Sequence, residues 1–346
     1  MIITVLGAGA MGSALAIQAS HVSGNDVRLW GTEFDHHVIE ELTGTGVHPY
    51  LKVAVPKSVR VYPDQEIGVA TESVEIAVIA VSSEAVRQVT SNLGHLLTKS
   101  KAVMSVAKGL TTSRSGRILT MHQAIEEEFM EAHLPHAPVV SIGGPSIARE
   151  VALAVPTSVV YASSAPRAMD RCAAAFESSN YRVSRTSDIV GVEICAVLKN
   201  VYAIGIGFCD GISENRGSTM NNTKAALFTS TLSEMKRFVK AAGGAENTVY
   251  GLAGIGDLNV TCLGGRNSQF GRLIGSGLSP KDALSEMKAK GLTVEGYSST
   301  EKLFDLATQL EREGNLEVNA DLPVLLGICE VLYKGRNPRE IVGELI

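Results

Sequence analysis

Apolar positions along the chain show two textures. Up to about residue 187, short β-branched runs at 2–6, 26–30, 76–81, 102–107, 139–142 and 158–161 read as buried strands. Between them, helical spacing marks 10–20, 84–97, 115–131 and 165–177. Strands alternating with helices predict a parallel sheet wound with helices on both faces. Residues 43–63 break the rhythm with prolines and read as loop with short extended pieces. Beyond residue 187 helical patterns take over at 189–208, 222–242, 267–275, 279–290, 300–312 and 322–333, punctuated by turns such as Gly243-Gly244 and Gly264-Gly265. The expected fold is thus α/β, with an N-terminal doubly wound, Rossmann-like parallel sheet over 1–188 and an all-α C-terminal domain over 189–346.

A length of 346 residues suits two domains at ~100–200 residues each. With 31 basic against 36 acidic side chains the net charge is −5, which argues against a nucleic-acid binder and against attraction to anionic membranes. Any anionic ligand therefore needs a local positive site. Cys172, Cys195, Cys209, Cys262 and Cys329 are scattered without a paired spacing, as expected of reduced thiols rather than a disulfide frame or a metal site. No basic leader precedes the first strand, and no 18-residue apolar run appears, so a cytoplasmic protein without membrane insertion is expected.

Gly7-Ala8-Gly9-Ala10-Met11-Gly12 follows the first strand and opens a helix, the context that a Gly-x-Gly-x-x-Gly dinucleotide fingerprint requires. Gly7 serves the tight turn, Gly9 the approach of a pyrophosphate to the backbone, and Gly12 the close packing of helix on strand. The helix N-terminus then favours the negative charge. Glu33, just past the second strand, is placed to accept from the adenosine ribose and to repel a 2′-phosphate, which favours NAD while leaving NADP open.

Two lysines stand where lysines are costly. In 189–208 the only charges are Glu193 and Lys199, and a helix apolar nearly all round is a buried one. A buried ammonium must be paired or neutralised; Lys199 reads as a general acid/base whose burial lowers its proton affinity. Lys108 ends the strand before Gly109, at the sheet edge where ligands of doubly wound folds bind. Gly144 and Ser146, in Gly143-Gly144-Pro145-Ser146, occupy the same edge after another strand. In the second half, Arg266-Asn267 follow Gly264-Gly265 at a helix start, an arrangement suited to phosphate. Asp257 and Thr261, four apart, can orient a lysine or a substrate hydroxyl if that stretch is helical.

These blocks, in this order, resemble the NAD(P)-dependent glycerol-3-phosphate dehydrogenases over essentially the whole chain, and further blocks extend the likeness: Leu198-Lys199-Asn200-Val201, Gly207 to Gly211, Asn222 to Ala226, and Val294-Glu295-Gly296. The resemblance implies reversible hydride transfer between a nicotinamide cofactor and dihydroxyacetone phosphate, giving sn-glycerol 3-phosphate. Lys199 resembles the family's catalytic lysine and Lys108 its second substrate lysine. Asn200, Asp257 and Thr261 match positions lining the substrate, and Arg266 and Asn267 the phosphate-binding pair, with Arg266 also near the cofactor. Ala10, Met11, Ala148 and Glu295 match positions near the nucleotide. The loop 213–221 is longer and more polar than the family pattern. A homodimer is implied by the resemblance and by the apolar second half. Two other readings stay open: another two-domain dehydrogenase of the 3-hydroxyacid or 6-phosphogluconate type, and a nucleotide-binding module without catalysis.

Overall fold

A computed structural model describes residues 1–135 and 137–346. Contacts divide it into two units, Met1–Ser113 with Leu119–Ile189, and Arg114–Ile118 with Val190–Ile346. Ten strands form: β1 (Ile2–Leu6), β2 (Asp26–Trp30), β3 (Val59–Tyr62), β4 (Ile76–Ile79), β5 (Ala102–Ser105), β6 (Leu110–Thr112), β7 (Ile118–Thr120), β8 (Val139–Gly143), β9 (Thr157–Ala162) and β10 (Tyr181–Thr186). Eight of them make one sheet in the order β10-β9-β8-β5-β4-β1-β2-β3, while β6 and β7 form a separate ribbon. From β8 through β3 every neighbour is parallel.

The strand period of two divides the core between the two sheet faces. Ile3, Val5, Ile76, Val78, Ala102 and Met104 belong to one buried cluster, and Leu6, Ala77, Ile79 and Val103 to another. Because both faces are covered, these strands carry no polar side, which is why they read as continuous apolar runs.

The sheet departs from the all-parallel expectation at one end. β9 runs antiparallel to β8, and β10 parallel to β9. The connection between β8 and β9 contains only the five-residue helix Ala148–Ala152. β3, inside the stretch read as loop with short extended pieces, and β10, where no strand was expected, are the two sheet edges. Part of the expected helix 115–131 is β7, and the helix begins at Met121 behind a capping box of Thr120 and Gln123.

The second unit is built from helices around Ile189–Arg216. Its Ile189–Asn215 stretch is long and apolar enough to cross a membrane, yet 89% of its apolar window is buried inside the protein. This helix therefore uses internally the apolar surface that had suggested a dimer. It also absorbs residues 213–216 of the expected 213–221 loop, ending where Gly217 adopts φ +63°. Glycines set its packing against Arg266–Gly275. A Cβ at Gly207 or Gly211 would stand 2.3 or 2.0 Å from the carbonyl oxygens of Ser268 and Arg272, and one at Gly271 or Gly275 would strike Ile204 and Phe208 in return. Backbone meets backbone, and the residues at the start of Arg266–Gly275 are brought beside Lys199 and Asn200.

Candidate active site

In the first unit, the loops after β1, β4, β5 and β8 leave the same carboxyl edge of the sheet. Gly7 has φ +115°, and a Cβ there would lie 2.7 Å from the Ala80 carbonyl oxygen; one on Gly12 would lie 2.1 Å from that of Gly7. The fold itself demands those two glycines. A Cβ on Gly9 would meet nothing within 4 Å, so packing gives no reason for glycine there, whereas a ligand pressed against the backbone does. Gly9 precedes the helix Ala10–Ser20, and Ala10 and Met11 lie half-buried against the core.

Gly7 and Gly9 line a cleft of about 550 Å³ together with Trp30, Thr32, Glu33, Asp35, Asp64 and Ile67, with the β4 loop and the helix Val86–Leu97 opposite. The volume suits a nucleoside. Among the described residues, three carboxylates and no lysine or arginine line it. Glu33, the acid expected at the ribose, is exposed in this cleft. Asp35 holds the more structured position: its Oδ2 accepts from Thr32 N and Oγ1 at 2.9 and 2.8 Å and from Ala8 N at 3.2 Å. On the other side of Ala8, buried His48 reaches the carbonyl oxygen through Nε2 at 3.1 Å, while its Nδ1 accepts from Tyr50 N and Leu51 N. Two backbone donors on Nδ1 leave the proton on Nε2, and burial holds the imidazole below its ordinary proton affinity. Asp35 and His48 thus brace the glycine loop from both sides. Neither was picked out in the sequence.

Lys108 is half-buried just beyond β5, which ends at Ser105 rather than at the lysine. A Cβ on Gly109 would meet the Ser83 side chain at 2.3 Å, so this segment presses on the loop after β4. Gly144 has φ +98°, and Ser146 Oγ donates to its carbonyl oxygen at 3.3 Å. Ala148 opens the short helix Ala148–Ala152, which packs on Ala10–Ser20.

In the second unit, Lys199 is 7% exposed and Asp257 1%. Lys199 Nζ donates to Asp257 Oδ1 in a short, buried ion pair. Asp257 starts the helix Asp257–Cys262, entered through a π-helical turn at Leu252–Gly256. The stretch is therefore helical, as the lysine-orienting reading of Asp257 requires. Thr261 does not join the pair: its Oγ1 donates back to the Asp257 carbonyl oxygen at 2.6 Å. Asn200 Oδ1 accepts from Asn267 Nδ2 at 2.9 Å, and Asn267 Oδ1 accepts from Gly296 N at 2.9 Å. Arg266 is about half exposed and pairs with Glu295 at 3.0 Å. The structure thus brings Lys199 to Asp257, Asn200 to Asn267, and Arg266 to Glu295. The Asn267 side chain is buried, while Arg266 beside it is about half exposed.

Two family models match the chain: the NAD-dependent glycerol-3-phosphate dehydrogenase N-terminus over residues 2–169 and the C-terminus over 188–343. An NADP(+)-dependent glycerol-3-phosphate dehydrogenase of Archaeoglobus fulgidus is 36% identical, with 100% of this chain and 99% of that protein covered. A glycerol-3-phosphate dehydrogenase [NAD(P)+] of a Thermoanaerobacter species is also 36% identical, covering 100% and 97%. The crystal structure of glycerol-3-phosphate dehydrogenase from Coxiella burnetii superposes with a TM-score of 0.84 at 31% identity, covering 99% of this chain and 98% of that one.

Proposed function

We infer the activity from one premise: the chain belongs to the NAD-dependent glycerol-3-phosphate dehydrogenase family, matched in both halves. It is an oxidoreductase that interconverts dihydroxyacetone phosphate and sn-glycerol 3-phosphate with a nicotinamide cofactor. The cleft and the open face of Gly9 fit a dinucleotide, which when bound supplies or accepts the hydride at C2. What this chain's residues contribute is placement and a proton. Lys199 hands a proton from Nζ to the ketone oxygen during reduction and takes it back during oxidation. Asp257 aims the ammonium, Arg266 receives the phosphate, and Lys108 is the second lysine that the resemblance assigns to the substrate. The observation carrying this reading is the buried Lys199–Asp257 pair: a structural lysine would keep its ammonium in water, where it costs nothing.

NAD is proposed over NADP. The Archaeoglobus relative is named for NADP(+), but the charge of this cleft argues the other way. A 2′-phosphate would enter among Glu33, Asp35 and Asp64 with no lining lysine or arginine to meet it. One like-charge contact at 4 Å costs about 1 kcal/mol in water and about 4 at an effective dielectric of 20. Initial rates with NADH and NADPH against dihydroxyacetone phosphate test both parts. A tenfold or larger preference for NADH is expected; equal kcat/KM with the two cofactors overturns the preference, and no turnover with either overturns the activity.

A cytoplasmic location and a homodimer complete the proposal. Five free cysteines, four of them buried, support a reducing compartment. The dimer rests on the family resemblance, and sedimentation at micromolar protein tests it.

A further inference from the structure

We propose that Asp35, rather than Glu33, is the acid that meets the adenosine ribose of the cofactor and sets the choice between NAD and NADP. The proposal deepens the cofactor reading above and rests on it. Its starting point is an anomaly of local structure. Asp35 is the N-cap of the helix His36–Thr45, a place where an aspartate side chain ordinarily accepts from the first turn of its own helix, yet it makes no such bond. The carboxylate is turned back instead. Oδ2 alone accepts three hydrogen bonds, from Ala8 N, Thr32 N and Thr32 Oγ1. The tight turn after Trp30 brings it there: a Cβ on Gly31 would lie 3.2 Å from Asp35 Cβ and 2.5 Å from Ile39 Cγ1.

Bracing the glycine loop needs one acceptor atom. What a carboxylate adds is a second, Oδ1, which accepts from none of the described residues although Asp35 lines the cleft. Its place along the cleft follows from its partner. Ala8 adjoins Gly9, where the backbone is open to a pyrophosphate, and the ribose is the next group along a dinucleotide. The other two carboxylates are placed differently. Asp64 Oδ1 pairs with His36 at 3.1 Å, and exposed Glu33 has no side-chain bond among the described residues. A free carboxylate swings into water to escape a 2′-phosphate, at little cost. Asp35 would have to break three bonds to do so, and its charge therefore stays where the phosphate would enter. Exclusion of the wrong ligand needs a repulsive group that cannot move away. The same fixed oxygen accepts from a ribose hydroxyl, so one side chain supplies both the attraction to NAD and the repulsion of NADP.

Asp35→Asn is the test, read as the Kd of NADH and of NADPH from cofactor fluorescence. Two backbone N–H groups, which cannot be turned, keep the amide oxygen at the Oδ2 position and put the NH₂ group where Oδ1 stood. NADH should bind three- to thirtyfold less tightly as the charged hydrogen bond is lost, and NADPH at least threefold more tightly, so the preference falls at least tenfold. Glu33→Gln should move it at most about fivefold, the worth of one charge acting through water. Parallel weakening of both cofactors in Asp35→Asn would mean that the substitution only loosens the glycine loop, and overturns the proposal, as does a larger shift in Glu33→Gln. The wild-type protein gives a test that needs no substitution: 2′-deoxy-NADH should bind at least fivefold less tightly than NADH, and equal binding overturns the ribose contact. Failure of the reading beneath the proposal looks different. No turnover of dihydroxyacetone phosphate sinks the activity, and equal wild-type affinity for NADH and NADPH sinks the preference, while the deoxy comparison still decides whether Asp35 meets the ribose.

Discussion

Replacing Lys199 with methionine separates what the buried ion pair does for stability from what it does for chemistry. The Lys199 side chain is 9% exposed and that of Asp257 1%, so water screens neither charge. Removing the ammonium leaves the Asp257 carboxylate inside the protein without that counter-ion, a change that costs about 3–5 kcal/mol in comparable buried pairs. For a unit of this size each kcal/mol lowers Tm by roughly 2–4 °C, which predicts a drop of roughly 6–20 °C. Asp257→Leu should destabilise similarly. The double variant Lys199→Met with Asp257→Leu removes both charges and fills the space with apolar groups, and such replacements are often neutral or stabilising. Calorimetry should then show the double variant melting closer to wild type than either single one. Activity should follow another rule. Loss of a positioned proton donor costs ~10²–10⁴-fold, and the double variant regains none of it. Additive losses in Tm would refute the pairing argument, and turnover within tenfold of wild type in Lys199→Met would remove the lysine from the proton transfer.

Three further outcomes follow from the same structure. Arg266→Ala should raise KM for dihydroxyacetone phosphate by about ten- to a hundredfold, the worth of a charged hydrogen bond, and leave the weak turnover of phosphate-free dihydroxyacetone unchanged; equal losses on both ketones would take the phosphate away from Arg266. Buried Glu234 accepts from Val324 N, Leu325 N and the Tyr202 hydroxyl, and burial raises its pKa from 4.5 to about 7. The folded state binds this proton more tightly than the unfolded chain, so the stabilisation is full below pH 4.5 and is lost as pH rises through 7, on the order of 3 kcal/mol. Glu234→Gln should flatten that slope in denaturant titrations between pH 5 and 8, and an identical slope in both proteins refutes the assignment. His48 is shifted the opposite way, its folded proton affinity held down by burial. Its contribution is present above its unfolded pKa and lost as pH falls through the lower folded one, so NADH binding followed by fluorescence should weaken on acidification, and less so in His48→Gln.

What could be read in the sequence, and what could not, divides along physical lines. Strands buried on both faces announce themselves as apolar runs, and β1 and β2 lie where those runs predict. The two edge strands do not, because an edge is half wet. β3 buries Val59 alone, with Arg60 exposed and Val61 and Tyr62 half-exposed, and β10 buries Tyr181 and Val183 while exposing Arg182 and Ser184. Charge on such edges discourages pairing with another chain, and the same charge conceals the strand from a search for buried runs. At the site, Lys199 stands out because a charge in apolar surroundings is a visible anomaly, and Asp257 through its four-residue spacing from Thr261. Asp35, His48 and Gly296 left no such mark. Glu33 is marked by its place just past the second strand, whereas it is Asp35 that bonds the glycine loop, and that depends on how the chain turns after Trp30.

Asn267 shows the deeper reason. Its place after Arg266 at a helix start is an honest signal for phosphate, and the sequence contains nothing against it. What the fold adds is that each end of the amide carries one buried bond, from a backbone N–H 29 residues further along the chain and to an asparagine 67 residues before it. A motif states which groups are available; only the fold states which of them remain unspent. Arg266, with its guanidinium about half exposed and held by one surface carboxylate, can release that partner at a cost of about 0–1 kcal/mol. Asn267 Nδ2 has a second N–H beyond its bond to Asn200, so the asparagine can donate to the same ligand while both buried hydrogen bonds are kept.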